Sequence, residues 1–248
     1  MNDSAAAPSV VAEYQPLYAQ VKNLLVKRIG SGAWKPGDLL PSEFELAAEY
    51  NVSQGTVRKA LMALEADRLI VRRQGRGTYV ARHTSDDTLF HFFRMVGLDD
   101  RRLTPSSVVL RQGTERSTSE QATFLSIAAG EMLHAIVRVR HIDGMPAIFE
   151  HIFVPVGLMP NLKVKLGEEL DEEMYVIYQD RFGISIARAT ERLAAVAATA
   201  EDAFHLRLEV NTPLLQICRV AHDVNGRPIE LRVSRCNTTH SRYAAEVN

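Results

Sequence analysis

Arg138 and Arg140 stand two residues apart in a run of apolar residues, so on a strand both guanidiniums point to one face. Asp143-Gly144 is a hairpin signal, and the chain beyond it runs back through Ile148 and Glu150. If Asp143-Gly144-Met145 forms a three-residue loop with Gly144 near the left-handed region, Arg140 lies opposite Ile148 and Arg138 opposite Glu150. A two-residue loop would turn Glu150 to the other side. Two guanidiniums and one carboxylate leave one positive charge for an anionic group to match, and the planar donor fork of arginine suits a phosphate or a carboxylate. The competing reading is a solvated sheet face with ordinary ion pairs, and geometry alone weighs the two evenly.

A second set of reactive surface chemistry lies earlier in the chain. Ser53, Gln54, Gly55, Thr56, Arg58 and Lys59 cluster where a helix should begin, and backbone N–H groups with the helix dipole favour a phosphate there. Gly55 costs helix propensity and lets a backbone approach closely. Arg72, Arg73, Gln74, Gly75, Arg76 and Gly77 form a basic, glycine-rich tip between Leu69–Arg73 and Thr78–Val80, two short β-prone runs.

The elements that position these residues are legible from caps and periodicity. Ser42 and Glu45 form a capping box after the Pro36–Pro41 turn, starting a helix with Leu46, Ala47 and Tyr50 on one face. The chain breaks at Asn51-Val52, and Ser53 caps a second helix with Val57, Ala60, Leu61 and Leu64 at i, i+3, i+4 and i+7. Two short helices and a two-stranded basic wing make a winged helix-turn-helix, with the second helix as reader. A preceding helix spans Leu17 to Ile29 with Leu17, Val21, Leu24 and Leu25 on one face. Residues 1–13 are Ala, Ser and Pro rich and are expected to be disordered; residues 14–81 are the DNA-binding domain and 82–88 a polar linker.

Residues 89–248 change character. Ser107–Gln112 alternates; Ser117 and Glu120 offer a capping box for a helix to Ile127; Met132–Ile142 and Ala147–Val154 make the first hairpin. Leu170–Phe182 reads as a helix stopped by Gly183, Ser185–Ala197 as a long strand, Thr199 as a helix cap, and Leu214–His222 with Pro228–Cys236 as a second hairpin about Asn225-Gly226. The fold class is α+β: the winged head followed by an antiparallel-sheet domain.

Composition agrees with a nucleic-acid binder that has a second task. The net charge is −1, but residues 14–83 hold 11 Lys+Arg against 6 Asp+Glu while residues 84–248 hold 18 against 22, so the positive field belongs to the head. The first 15 residues carry no export signal and no apolar run reaches membrane-spanning length, which predicts a cytoplasmic protein without membrane attachment. Cys218 and Cys236 lack metal-type spacing and the 8 histidines are scattered, so no metal site and no cofactor is expected.

The head resembles the GntR family of bacterial transcription regulators. Tyr18, Ile29, Gly32, Pro36-Gly37-Asp38, Leu40-Pro41-Ser42-Glu43, Leu46-Ala47, Val52-Ser53, Thr56-Val57-Arg58, Ala60-Leu61, Leu64 and Gly75-Arg76-Gly77-Thr78 stand where that family has them. Gln54 and Phe44 depart from arginines common there, and glutamine pairs with adenine where arginine prefers guanine. The second half is similar to the UTRA effector domain of the HutC branch, which shares its fold with chorismate lyase: Arg138-Val139-Arg140, Asp143-Gly144-Met145-Pro146, Glu150, Pro155, Glu191, Ala195, Thr212–Leu215, Arg219, Asp223, Gly226, Pro228-Ile229-Glu230, Ser234 and Arg242-Tyr243 carry that likeness. The run Cys236–Tyr243 is longer than the family's and lacks its aspartate.

The resemblance implies that Ser42, Glu43 and the reading-helix and wing residues contact DNA. It further implies that Arg94, Arg138, Arg140, Glu150 and Glu230 contact a small effector, a phosphorylated sugar or a carboxylate. Phe90, Phe92 and Phe93 read as packing rather than as a ligand platform, and Glu191 with Arg219 as a cross-strand ion pair. Three functions compete: an effector-controlled repressor acting as a homodimer on an inverted-repeat operator, a chorismate-lyase-like enzyme fused to a DNA-binding head, and an architectural DNA binder. The enzyme leaves the head unexplained and lacks a nucleophile–base pair in a recognisable motif; the architectural binder has no use for the second domain. The first reading accounts for both halves.

Overall fold

A computed structural model describes residues 15–82, 84, 92–170 and 172–245. The expected disordered segment 1–13, most of the 82–88 linker and Phe90 lie outside the described residues.

The head is built from α1 (Leu17–Gly30), α2 (Glu43–Glu49), α3 (Gln54–Ala66), β1 (Ile70–Arg73) and β2 (Gly77–Val80). Ser42 and Glu45 close a reciprocal capping box, and Ser53 accepts from the Thr56 N–H. The turn between α2 and α3 is made by Asn51 at φ 52°, with the Val52 N–H donating to the Ala47 carbonyl at 3.0 Å. That left-handed residue, which asparagine tolerates, closes the last turn of α2 and aims α3 outward. Val57, Ala60, Leu61 and Leu64 are buried against Val21, Leu25, Leu46, Ile70 and Val80. On α1 the buried face is narrower than its four apolar residues suggest: Val21 and Leu25 are covered, whereas Leu17 and Leu24 are exposed. Only a stripe a few residues wide meets α3, so the flanking leucines fall outside the contact.

The second half is a six-stranded antiparallel sheet in the order β4 (Ser106–Arg116), β5 (Met132–Ile142), β6 (Met145–Pro155), β9 (Pro228–Cys236), β8 (Pro213–Asp223), β7 (Ile186–Ala197). A short ladder of β3 (Met95–Gly97) with β10 (Ser241–Tyr243) lies apart from it. α5 (Met174–Phe182) packs with Ile136, Ile152 and Ile186 on one face of the sheet. On the other face, Leu206 of α6 (Ala200–Leu206) meets Val137, Val139 and Phe149, while Leu125 of α4 (Ser119–Leu125) meets Leu133, Val220 and Leu231.

Two boundaries differ from the sequence reading. α4 is capped by Thr118 with Gln121 rather than by Ser117 with Glu120, because the Ser117 N–H donates to the Glu131 carbonyl and its hydroxyl to the Ala128 carbonyl. α5 begins at Met174, not Leu170: the Leu170 N–H donates to the Ser107 carbonyl, holding that stretch extended against the β4 edge.

The β5–β6 hairpin differs in how it reaches its register. Ile142 pairs with Met145, so the loop is the two residues Asp143-Gly144, both at positive φ (51° and 76°), rather than the three-residue loop expected. Even so, Arg138 faces Glu150 and Arg140 faces Ile148, because the pairing shifts from His141↔Pro146 to Arg140↔Ile148 and Ala147 is the extra residue. A tight turn plus a bulge returns the side-chain alternation to where a longer loop would put it.

Deleting Ala147 removes only the extra residue, so it should straighten the ladder and keep Arg138 opposite Glu150, whereas an alanine inserted between Phe149 and Glu150 should turn Glu150 away and leave buried charges unpaired. The insertion is expected to cost at least about 3 kcal/mol in urea unfolding, or to leave no folded second domain, and the deletion far less. An insertion variant of near wild-type stability would show that the register is not fixed there.

Candidate functional site

The reading helix presents Gln54, Gly55, Arg58 and Lys59 to solvent in its first two turns. A side-chain carbon added at Gly55 would meet only the Ser53 hydroxyl at 3.7 Å, so nothing inside the chain demands glycine there. Ser53 and Thr56 hydroxyls satisfy each other at 2.9 Å. Glu43 is placed behind the helix: its carboxylate accepts from Arg58 Nε at 2.9 Å and lies 3.6 Å from Arg72 Nη2, which also reaches Glu65. One acid therefore organises two of the basic residues. On the wing, Arg73 lies over the Tyr79 ring at 4.9 Å, and Gln74, Gly75 and Arg76 form an exposed tip with Gly75 at φ 70°. Gly77 has φ 110°, a conformation that favours glycine at the wing base, and an added carbon would also push aside the end of the exposed Leu39 side chain, 2.7 Å away.

In the second half, strand alternation aligns one row of polar side chains across all six strands. Ser107 on β4 opposes Arg140, Arg138 opposes Glu150, Glu150 opposes Ser234, and Arg232 opposes Arg219, which opposes Glu191 on β7. Arg138 is 0% exposed and Arg140 4%. Arg138 Nε donates to Glu150 at 2.5 Å and the Ser234 hydroxyl donates to the other oxygen of Glu150 at 2.6 Å. Arg232 grips Glu230 with two bonds of 2.9 Å, and Glu230 also accepts from Tyr178 at 2.6 Å and Tyr175 at 3.2 Å. Arg219 donates to Glu191 at 2.6 Å, which accepts from Tyr243 as well. Glu173, the N-cap residue of α5, reaches Arg140 at 2.5 Å and Arg138 at 3.8 Å.

Burial and pairing set the proton affinities. Burial alone would raise the Glu150 carboxyl, but Arg138, Arg232 and Arg140 outweigh it and hold it well below the usual carboxylate range. Desolvation pulls Arg140 down to about 10 despite Glu173, the like charge of Arg138 adding to the fall. Tyr175 is raised to about 12 by burial and by Glu230. At neutral pH the Glu150 carboxyl therefore stays ionised, Arg140 protonated and the Tyr175 hydroxyl neutral.

The row corrects the balance drawn from sequence. Glu173 supplies a second carboxylate to the Arg138–Arg140 pair, so no net positive charge remains, and the face is buried under α5 rather than solvated. Arg138, Arg140 and Glu150 meet; Glu230 joins them through Arg232. Arg94 does not: it is exposed and lines a separate cavity of about 360 Å3 with Arg219, Glu191, Tyr243 and Phe92. Phe93 lies under the Arg140 guanidinium at 4.9 Å and Phe92 is edge-on to Tyr175 at 5.1 Å, both packing contacts. Arg232 was legible, since it alternates with Glu230 on one strand face. Glu173 gave no signal beyond an acidic run ahead of a helix. Among the described residues no cluster of three or more His, Cys, Asp or Glu could hold a metal.

A winged helix-turn-helix head joined to a sheet domain with a buried polar row defines a ligand-sensing DNA-binding regulator. Residues 17–80 match the bacterial regulatory proteins of the gntR family and residues 100–242 the UTRA domain; the chain belongs to the GntR family, with a UTRA effector domain. It is 31% identical over 216 residues to the HTH-type transcriptional repressor NagR of Bacillus subtilis, covering 87% of this chain and 88% of that one. It is 28% identical over 225 residues to the Escherichia coli protein named "Probable fructoselysine utilization operon transcriptional repressor", covering 90% and 91%. The ligand-binding domain of a GntR-family regulator from Bordetella bronchiseptica superimposes with a TM-score of 0.59 at 29% identity, over 64% of this chain and 98% of that one. GntR regulators bind DNA operators and small effectors, so the chain is a DNA-binding transcription regulator and not an enzyme. Among the described residues no helix is long and apolar enough to cross a membrane.

The depressed Glu150 carboxyl makes a pH prediction. A group whose folded proton affinity is lowered contributes stability above its unfolded value, about 4.3, and loses it as pH falls. Glu150→Gln should cost about 3–5 kcal/mol at neutral pH, because it leaves buried arginines short of a charge. It should also flatten the fall in stability below about pH 4.5. Chemical unfolding across pH 3–7 checks both, and an unaltered acid slope would mean that Glu150 does not carry the charge.

Proposed function

We propose that this chain is a homodimeric repressor whose hold on an inverted-repeat operator is set by a small anionic metabolite, a phosphorylated sugar or a carboxylate, seated at Arg138 and Arg140. The observation that carries this reading is a pair of buried N–H donors, Arg138 Nη2 and Arg140 Nε, that have no partner among the described residues. Such donors are costly to leave unmade, and a ligand oxygen would satisfy them. The cavity of about 360 Å3 beside them shares Phe92 and Arg219 with the pocket at Arg140, and its size suits a metabolite body with Arg94 at its rim. Glu150 orients Arg138, and Glu230 holds Arg232 in place. NagR and the fructoselysine-operon protein are named repressors, which supports the same sign of action here.

In the head, whose proposed limits are 14–81 with a linker at 82–88 and the effector domain at 89–248, Gln54 reads a base. Arg58 takes a phosphate or base edge while Glu43 steadies it. Ser42, Ser53, Gly55, Thr56 and Lys59 sit where backbone and side-chain donors meet phosphates. Arg72, Arg73, Gln74, Gly75, Arg76 and Gly77 place the wing along the DNA backbone or minor groove. The effector domain supplies the dimer contact: β7 is an edge strand twelve residues long with Leu193, Ala194 and Ala195 exposed, an edge that pairing with a second copy would cover. Such a protein works in the bacterial cytoplasm, on the nucleoid when operator-bound.

Gln54→Arg should shift operator selection toward guanine at one position per half-site, by about 1–3 kcal/mol. Unchanged selection would remove Gln54 as a reader. Replacing Arg76 with Ala should lower DNA affinity and reduce the salt slope by about one unit for each phosphate that Arg76 neutralises; equal slopes would place Arg76 off the DNA.

Arg140→Lys keeps the charge but loses the fork, so effector titration of operator binding should move by about one to two decades while operator affinity without effector stays put. Arg140→Ala should do the same and also destabilise the domain, since it strands Glu173. An unmoved midpoint in both variants would end the anion-seat reading, and a monomer by light scattering at DNA-protecting concentrations would end the dimer.

A further inference from the structure

Glu173 occupies the place that an effector's anion would take. It is the N-cap of α5, with extended backbone (φ −69°, ψ 148°), yet its side chain makes no capping bond. Instead one carboxylate oxygen lies 2.5 Å from Arg140 Nη2 and the other 3.8 Å from Arg138 Nη1, so the group bridges the two guanidiniums. The space left at Arg140, enclosed with Phe92, Phe93, Glu173 and Tyr175, is only about 10 Å3. That volume holds about one water, so an incoming phosphate and the Glu173 carboxylate cannot both be there.

The tether is built to let go. Glu173 has a side chain 12% exposed, against 0% for Arg138 and 4% for Arg140 and Glu150, so it is the member of the cluster nearest solvent. Because its side chain does not cap α5, the helix loses no terminal hydrogen bond when the carboxylate swings out. The carboxylate is also an incomplete match: Arg138 Nη2 and Arg140 Nε stay without a partner among the described residues. A phosphate brings more acceptor oxygens and more charge than the side chain it replaces.

We propose that Glu173 is a built-in competitor of the effector, a tethered carboxylate that fills the seat between Arg138 and Arg140 and must leave before an anion binds. This rests on the reading that the two arginines seat the effector. It makes Glu173 a specificity residue: a ligand carboxylate merely exchanges like for like at the seat, whereas a dianion gains by displacement. The tether raises the concentration of anion needed for a response and rejects weakly bound monoanions.

Calorimetric titration of inorganic phosphate into the full chain tests this, comparing wild type with Glu173→Gln and Glu173→Ala, and with Glu173→Gln/Arg140→Ala as the control. Thermal melts verify that each variant is folded; the alanine variant serves if the glutamine one is not, and the reverse. Removing the competing charge should tighten phosphate binding by about tenfold or more, and the control should abolish it. Equal phosphate affinity in wild type and both single variants, lost in the control, would overturn the competitor while leaving the seat intact. Phosphate binding that survives in the control, or is absent from every protein, would overturn the seat itself and the competitor with it.

Discussion

Burying four guanidiniums and four carboxylates on one sheet face is the constraint that shapes this protein. Arg138, Arg140, Arg219 and Arg232 interleave with Glu150, Glu173, Glu191 and Glu230, all but Glu173, Arg219 and Glu191 nearly sealed from water. An unpaired ion in such a place costs several kcal/mol, so each side chain has to arrive opposite its partner. Strict antiparallel alternation does this across the strands, the Ala147 bulge corrects the one hairpin that would break it, and α5 closes the row from above with Glu173, Tyr175 and Tyr178. A row of this kind adds little net stability compared with a hydrocarbon core of the same volume. Its presence is better explained by the binding chemistry it makes available, since arginines held rigid and dry offer donors at fixed positions before any ligand arrives.

The two halves of the chain use arginine in opposite ways. On α3 and the wing, Arg58, Arg72, Arg73 and Arg76 are solvent-facing, Arg58 paired with Glu43, Arg72 with Glu43 and Glu65, and Arg73 set over a ring, so the pull on DNA proposed for them is screened by salt. In the sheet the same side chain is desolvated, fixed by several partners and little affected by ionic strength. Arg140, lowered to about 10, still keeps its proton at any physiological pH. If the row seats the effector as proposed, salt should tune the grip on DNA far more than the grip on the effector.

Much of this was legible in the sequence because the signals were local. Ser42–Glu45 and Ser53 announce the helices of the head, Val57, Ala60, Leu61 and Leu64 give the buried face of α3, and Arg138 with Arg140 declare a shared strand face. What was not legible depended on the tertiary arrangement. Ser117 looks as good a cap as Thr118 until the loop ending at Glu131 takes its N–H and hydroxyl. Leu17 and Leu24 fit the helical period but lie beyond the reach of α3. The bulge at Ala147 has no sequence mark, since alanine is neutral to it. Glu173 stands in an acidic run that on composition alone belongs to solvent, and only the path of the chain between β6 and α5 carries it over the arginines.

The remaining question is how a change at Arg138 and Arg140 is felt at the head. α5 starts at the proposed seat, and near its other end Asp180 accepts from Arg82 at 3.2 Å. That pair is largely exposed, so its contribution is about 0–1 kcal/mol, short of the roughly 1–3 kcal/mol of a typical allosteric coupling. The rest has to come from elsewhere in the contact. Between Ile29, Trp34 and Arg82 on one side and Asp180, Asp223 and Arg227 on the other lies a cavity of about 480 Å3, while Asn225 lies so close to Gly30 that a carbon added to the glycine would collide with its side chain. A ligand shifts the populations of such a contact only by as much as it prefers one arrangement of it. In the proposed dimer, the modest preference of each protomer would act twice on the spacing of the two reading helices.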